Sequence, residues 1–184
     1  MASSLEKLAA SHGVTVEWRS FELRPREAPP LPPEYKEKIM AGRPRLYAIA
    51  KEQYGLDLNQ GPWGIDSRPA LAGAKYAEAQ GVGPAYHDGV LHAYWHEAKN
   101  IAETGVLVEI AEAAGLEREA FLAALQDPQW EQAVLGDVAT AHSYGINGVP
   151  ALVFQNKYLV SGAQPYDVLT QVVDQIRAEE ASEE

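Results

Sequence analysis

One short segment constrains this chain more than any other: Gly145-Ile146-Asn147-Gly148-Val149-Pro150, which joins a helical pattern to the apolar run Ala151-Leu152-Val153-Phe154. Proline cannot donate to a β-ladder, so Pro150 marks the first residue of a strand rather than its middle. An X–Pro bond is also the only kind that takes the cis form cheaply, at about 0.5–1 kcal/mol. A cis Val149-Pro150 bond would turn the loop sharply and leave the backbone of Val149 facing outward. Its N–H and C=O could then pair with an extended peptide or a peptide-like ligand. An ordinary trans proline at a strand entry is the competing reading, and the local residues leave the two level.

The rest of the chain reads as helix, strand, a long helical stretch, hairpin and helix. Ser3-Ser4-Leu5-Glu6 forms a capping box ahead of a first helix, which Gly13 stops. Val14, Val16 and Trp18 alternate with Thr15, Glu17 and Arg19, the period of a strand. Five prolines between Pro25 and Pro33 make a linker that can neither donate to a ladder nor continue a helix. Helical patterns follow over residues 34–53, with a break expected near Gly42-Arg43-Pro44. They resume from a Ser67 cap to Gln80, from Pro84 through Trp95, from Thr104 to Gly115, and over residues 117–125 and 129–143. After Gly145 come two apolar runs, Ala151–Phe154 and Tyr158–Val160, separated by polar Gln155-Asn156-Lys157: a hairpin. Pro165 opens a last helix with Val168, Leu169, Val172, Val173 and Ile176 on one stripe.

Composition closes off several function classes. The formal net charge of −11 repels a phosphate backbone and no Lys/Arg cluster offsets it, so no nucleic-acid partner is expected. The acidic end, Glu179 to Glu184, reads as a solvated helix terminus. The 184 residues contain no cysteine, which removes disulfides, thiolate nucleophiles and Cys-ligated metals. Met1 to Ala10 has no apolar signal-peptide core, and no apolar run approaches the roughly 18 residues of a membrane span. A cytoplasmic protein with no membrane partner is the expectation.

Gly-Val-Pro before a strand, a hairpin, and Ser161-Gly162-Ala163-Gln164-Pro165 opening the last helix together resemble the C-terminal half of DsbA-like thioredoxin-fold proteins. The FrnE-like branch, related to 2-hydroxychromene-2-carboxylate isomerases and kappa-class glutathione transferases, is the most similar. Val16-Glu17-Trp18-Arg19-Ser20-Phe21-Glu22-Leu23-Arg24-Pro25, Leu91-His92-Ala93-Tyr94-Trp95, Asn100-Ile101-Ala102 and Val106–Ala111 extend the resemblance over nearly the whole chain. It implies an α/β fold: a thioredoxin-like sheet formed by residues 1–33 and 141–184, with residues 34–140 inserted as a helical subdomain. It also implies a cis Val149-Pro150 bond at the edge of a binding groove.

The family's first strand leads into a Cys-Pro-Trp-Cys type turn at a helix start, where the helix N-terminus stabilises a thiolate. Isomerase and transferase relatives carry a serine there. In this chain Leu5-Glu6-Lys7-Leu8 resembles the later part of that helix, so strand and turn would fall upstream of Met1. Ser3 and Ser4 align about two helical turns too late to replace the serine, and read as caps.

Other candidates have plainer explanations. His92 and His96 are four apart on one helix face, with His87 five before, but the stretch is dense in aromatics and Glu97 points away; packing outweighs a zinc site. Trp63, in Gly61-Pro62-Trp63-Gly64, either lines a groove facing Pro150 or plugs the seam between subdomains, with the seam preferred. His142 would cap the end of its helix as a cation.

The binding site expected is therefore Gly148, Val149, Pro150 and Trp63, with no metal, no cofactor and no assigned catalytic residue. Its ligand would be a peptide or a thiol-containing small molecule. Three readings follow: a truncated member of the disulfide oxidoreductase family; a non-redox member that binds through the proline groove; and an isomerase-like or transferase-like enzyme. A sheet lacking its central strand leaves unpaired backbone on both sides of the gap. Either the strands at Val14–Phe21 and Ala151–Phe154 close directly on each other, or a second copy covers the opening; a homodimer is preferred.

Overall fold

The computed structural model describes residues 2–183, apart from the side chains of Ala2, Ser3, Gln53, Tyr54 and Glu183. The chain divides into two compact units: Met1–Leu23 with Ala139–Glu184, and Arg24–Val138.

The Arg24–Val138 unit is helical. It holds α2 (Pro33–Tyr54), α3 (Arg68–Ala79), α4 (Gly83–Trp95), α5 (Thr104–Ala113), α6 (Arg118–Gln126) and most of α7 (Pro128–Ser143). Tyr86, Phe121, Leu107 and Val108 are fully buried at the centre of its core, with Ala77 and Ala111 filling the gaps between helices. The rings of Tyr86 and Phe121 lie 5.6 Å apart. Arg68 is only 4% exposed. Its guanidinium meets the Glu27 carboxylate through two bonds, at 2.9 and 3.0 Å, and Glu131 at 3.1 Å. The Arg68 bond holds the Glu27 carboxyl below the ordinary carboxylate range.

Two expectations need correcting here. The helix does not break at Gly42-Arg43-Pro44, since α2 runs through Pro44 without interruption. Pro44 removes one N–H and frees the carbonyl four residues back, on Met40, but Met40 is exposed and water can take that bond. Nor does Ser67 cap α3: its side chain makes no cap bond, and Asp66 accepts from the Arg68 N–H at 3.0 Å instead.

The other unit contains α1 (Ala2–His12), the strands β1 (Ala151–Phe154) and β2 (Tyr158–Ser161), and α8 (Tyr166–Glu183). Leu5 and Leu8 of α1 bury against Leu169 and Val173 of α8, and Val14, Val16, Leu152, Phe154 and Tyr166 pack onto this cluster. The helix α1 starts ahead of Ser3, and the Ser3 side chain proposed as its cap lies outside the described residues. Ser4 is half-buried in the first turn of the helix. The two strands pair antiparallel, with Ala151 opposite Ser161 and Phe154 opposite Tyr158. Gln155 and Asn156 turn the chain with φ of 51° and 53°.

The expected strand at Val14–Phe21 is not one. Val14 and Val16 point inward and Thr15 and Glu17 outward, as the alternation requires, but residues 13–22 join no ladder. Trp18, expected on the inward side, is 44% exposed. No backbone hydrogen bond joins residues 14–17 to β1, so direct closure of the two segments does not occur among the described residues. Alternation reports which side of a segment is apolar; a strand needs a neighbour as well. The sheet of this mostly helical protein is accordingly two-stranded.

Candidate functional site

The site begins where α7 ends. The Gly145 N–H donates to the His142 carbonyl at 2.9 Å and the Ile146 N–H to that of Ala141 at 3.0 Å, closing the last turn of the helix. This needs a left-handed residue, and Gly145 supplies it at φ 71° without steric cost. The backbone of this turn takes up the Ala141 and His142 carbonyls, and His142 itself lies in the last turn of α7, where it was expected. Its ring sits edge-on to Phe21, 6.1 Å between centroids. Asn147 donates its side-chain amide to the Gly145 carbonyl at 3.0 Å, bracing the loop.

The chain then passes through Gly148 and Val149 to Pro150, and the Val149–Pro150 bond is cis. The Pro150 carbonyl accepts from the Gly162 N–H at 2.8 Å, which extends the hairpin by one rung. Val149 is 52% exposed, and neither its N–H nor its C=O has a hydrogen-bond partner among the described residues. Beside it lies an open hollow of about 250 Å³, lined by Gly145, Ile146, Asn147, Gly148, Val149, Pro150, Leu159, Ser161 and Gly162. Three of the nine lining residues are glycines, so backbone makes up much of the wall. None is charged.

The structure thus brings Gly148, Val149 and Pro150 together around one hollow. Trp63 belongs to the other unit, where it is half-buried. Its loop is fastened to the end of α4: the Asn59 and Gly61 N–H groups donate to the Trp95 and Tyr94 carbonyls, each at 2.6 Å. Glycine is required at 61, because a Cβ there would stand 2.6 Å from both the Tyr94 ring and the Lys99 carbonyl. Sequence reasoning did not assign Asn147, Leu159, Ser161 or Gly162 to the site. The signal was in the hairpin register: once Ala151 faces Ser161, Pro150 must face Gly162.

Chemically, this wall offers main-chain donors and acceptors, one amide, one hydroxyl and apolar surface. It has no general base and, since the chain has no cysteine, no thiolate. The His92 and His96 rings stack 5.1 Å apart, His96 Nδ1 lies 2.8 Å from the Asp57 carbonyl oxygen, and His92 Nε2 is 3.5 Å from Glu97. No group of three or more His, Asp or Glu side chains is placed to hold a metal among the described residues.

A family model described as the DSBA-like thioredoxin domain matches residues 1–174. The chain belongs to that family. Among solved structures, a probable DsbA oxidoreductase of Streptomyces coelicolor, SCO1869, superposes with a TM-score of 0.80 at 30% identity, over 97% of this chain and 83% of its own. A 2-hydroxychromene-2-carboxylate isomerase gives 0.76 at 23% identity over 98% and 90%, a likeness of fold alone. The uncharacterized protein YwbO of Bacillus subtilis is 26% identical over 179 residues, spanning 93% of this chain and 86% of its own. As a DsbA-like protein without cysteine, the chain keeps the fold and not the sulfur. No helix among the described residues is long and apolar enough to cross a membrane.

Proposed function

We propose that this DsbA-like chain is a non-redox binding protein of the cytoplasm that holds an extended peptide, or a peptide-like thiol such as glutathione, along Val149. One observation carries the reading: Val149 is exposed, its N–H and C=O have no partner among the described residues, and it stands beside a hollow walled largely by backbone. A ligand in extended conformation satisfies both groups at once and fills the hollow with a side chain, the arrangement by which peptides are held at strand edges. With no nucleophilic sulfur in the chain, binding is not followed by thiol–disulfide exchange.

Titration of the labelled chain with glutathione and with a short unstructured peptide, followed by amide NMR, tests this. The amides of Gly148, Val149 and Gly162 should shift together and saturate. Val149→Pro, which deletes the donor, should weaken binding about tenfold, as expected for one hydrogen bond of roughly 1.4 kcal/mol. Shifts confined to other residues, no binding at millimolar ligand, or disulfide reductase turnover by the purified chain would overturn the reading.

A further inference from the structure

The longest helix, α2, has no other helix or strand packed against it among the described residues. It runs unbroken, so what it lacks is a neighbour for its side chains along one stripe. Tyr35, Ile39, Gly42, Leu46 and Ile49 follow one another at steps of four, three, four and three, the seam spacing by which one helix meets another. Tyr35 and Leu46 expose 48% and 45% of their surface, and Ile39 and Ile49 are half-buried. Gly42, at the centre of the stripe, has open space where a Cβ would stand, so nothing within the chain requires glycine there. Pro44 falls on the opposite side of the helix, clear of the stripe.

Lys36 and Arg43 flank this stripe on one side, Lys38 and Arg45 on the other. None of these four side chains makes a hydrogen bond or ion pair among the described residues, and Nε and Nη2 of Arg43 are shut off from water with no partner. Every other Lys and Arg of the unit is engaged. Arg24 donates to the Pro29 carbonyl, and Arg26, Lys51, Arg68, Lys75, Lys99 and Arg118 meet carboxylates. In a chain with 26 acidic and 15 basic side chains, four bases left unpaired beside one apolar stripe select what can lie there.

We infer that α2 docks an acidic amphipathic helix of a partner protein, with apolar residues on its seam and Asp or Glu beside them. A second copy does not fit: parallel or antiparallel, the seam would set Lys and Arg against Lys and Arg. An anionic lipid surface fits less well. It takes a broad apolar face, whereas this stripe is two positions in every seven, and it repels a chain of net charge −11. In the last turn the flanking residues are Ala50 and Glu52, so the acidic contact spans residues 36–45. The stripe lies wholly within the helical unit, and the proposal does not depend on the Val149 hollow.

Fluorescence anisotropy on the full chain tests this with a labelled synthetic helix of about three heptads, Leu and Ile on its seam and Glu beside it, and a counterpart with Lys in place of Glu. The Glu peptide should bind with a dissociation constant on the order of 10 µM, and the Lys peptide at least tenfold more weakly. Lys38→Glu with Arg45→Glu, both at exposed positions, should weaken the Glu peptide at least tenfold and strengthen the Lys peptide by a similar factor. Raising the salt to about 0.5 M should weaken the original pairing, because the flanking charges are exposed and screened. Circular dichroism confirms that the double variant is folded; if it is not, Leu46→Asp, which should cost the Glu peptide at least tenfold, decides the matter. No binding of the Glu peptide at about 100 µM, equal affinity for the two peptides, or a folded double variant that still prefers the Glu peptide would overturn the inference. So would sedimentation of the chain with phosphatidylserine vesicles in the absence of peptide binding.

Discussion

In the Arg24–Val138 unit the helices close their own backbone hydrogen bonds from residue i to i−4, save where Pro44 leaves the Met40 carbonyl to water, and what remains to be settled is how side chains pack around Tyr86 and Phe121. The unit holding Val149 contains two helices as well, but its extended residues 14–17 depend on neighbours that lie elsewhere. A helix is complete as a stretch of sequence; a strand is half of a relationship. The first unit is therefore finished by its own core, while the second keeps main-chain valences open at residues 14–17 and at Val149. The second of those places is where a ligand is proposed.

Amide hydrogen exchange offers the sharpest way to break this contrast. In the dilute, monomeric chain, Thr15, Val16 and Glu17 should exchange near the rate of an unstructured peptide. Amides of α3, α4 and α5 should be slower by orders of magnitude, opening only with the unit as a whole. Strong protection at Thr15–Glu17 would show that the segment has partners after all.

The next largest effect is expected in the core. Phe121→Ala removes a fully buried ring in contact with both Tyr86 and Tyr76, and should cost about 3–5 kcal/mol in urea unfolding. A loss below about 1 kcal/mol would mean that the helical unit does not rest on this cluster. Arg68→Met is expected to be milder. Arg68 is buried, but Glu27 and Glu131 are 67% and 42% exposed, so water takes over once the guanidinium is gone. No buried charge is left stranded, and the loss should be about 1.5–3 kcal/mol rather than the larger penalty of a broken buried pair.

The smallest effect concerns the tie between β2 and α8. The Tyr158 hydroxyl donates to the Glu179 carboxylate, and this bond, with one from Gln175, holds the Glu179 carboxyl below its ordinary value. A lowered folded pKa adds stability that is present above the unfolded value, near 4.3, and is lost as pH falls through the folded one. Tyr158→Phe should therefore lower the melting temperature at neutral pH, and the gap from the original chain should narrow in acid. A gap that stays constant with pH would assign the effect to packing.

Much of this was readable in the residues, for identifiable reasons. Gly145, Pro84, Gly115 and the stripe on α8 act locally, and each does in the structure what its local chemistry dictates. The hairpin was legible because its turn and both its strands lie within a dozen residues. Val14–Phe21 was misread because alternation shows which side of a segment is apolar and not whether another strand lies beside it. Pro44 was misread because the rule against proline inside helices presumes that the freed carbonyl has no water. At the site, Gly148, Val149 and Pro150 announced themselves through proline chemistry. Ser161 and Gly162 did not, because only the register of the completed hairpin brings them alongside.

The placing of Trp18 also determines what light reports about this molecule. It is the sole tryptophan of its unit; Trp63, Trp95 and Trp130 all belong to Arg24–Val138. Emission from the unaltered chain is thus dominated by the helical unit, where the Trp130 ring stands 5.5 Å from Tyr76. An unfolding curve followed by intrinsic fluorescence records chiefly the fate of that unit. The half that carries the binding hollow has a single indole of its own, and its fate is read only when the other three are replaced.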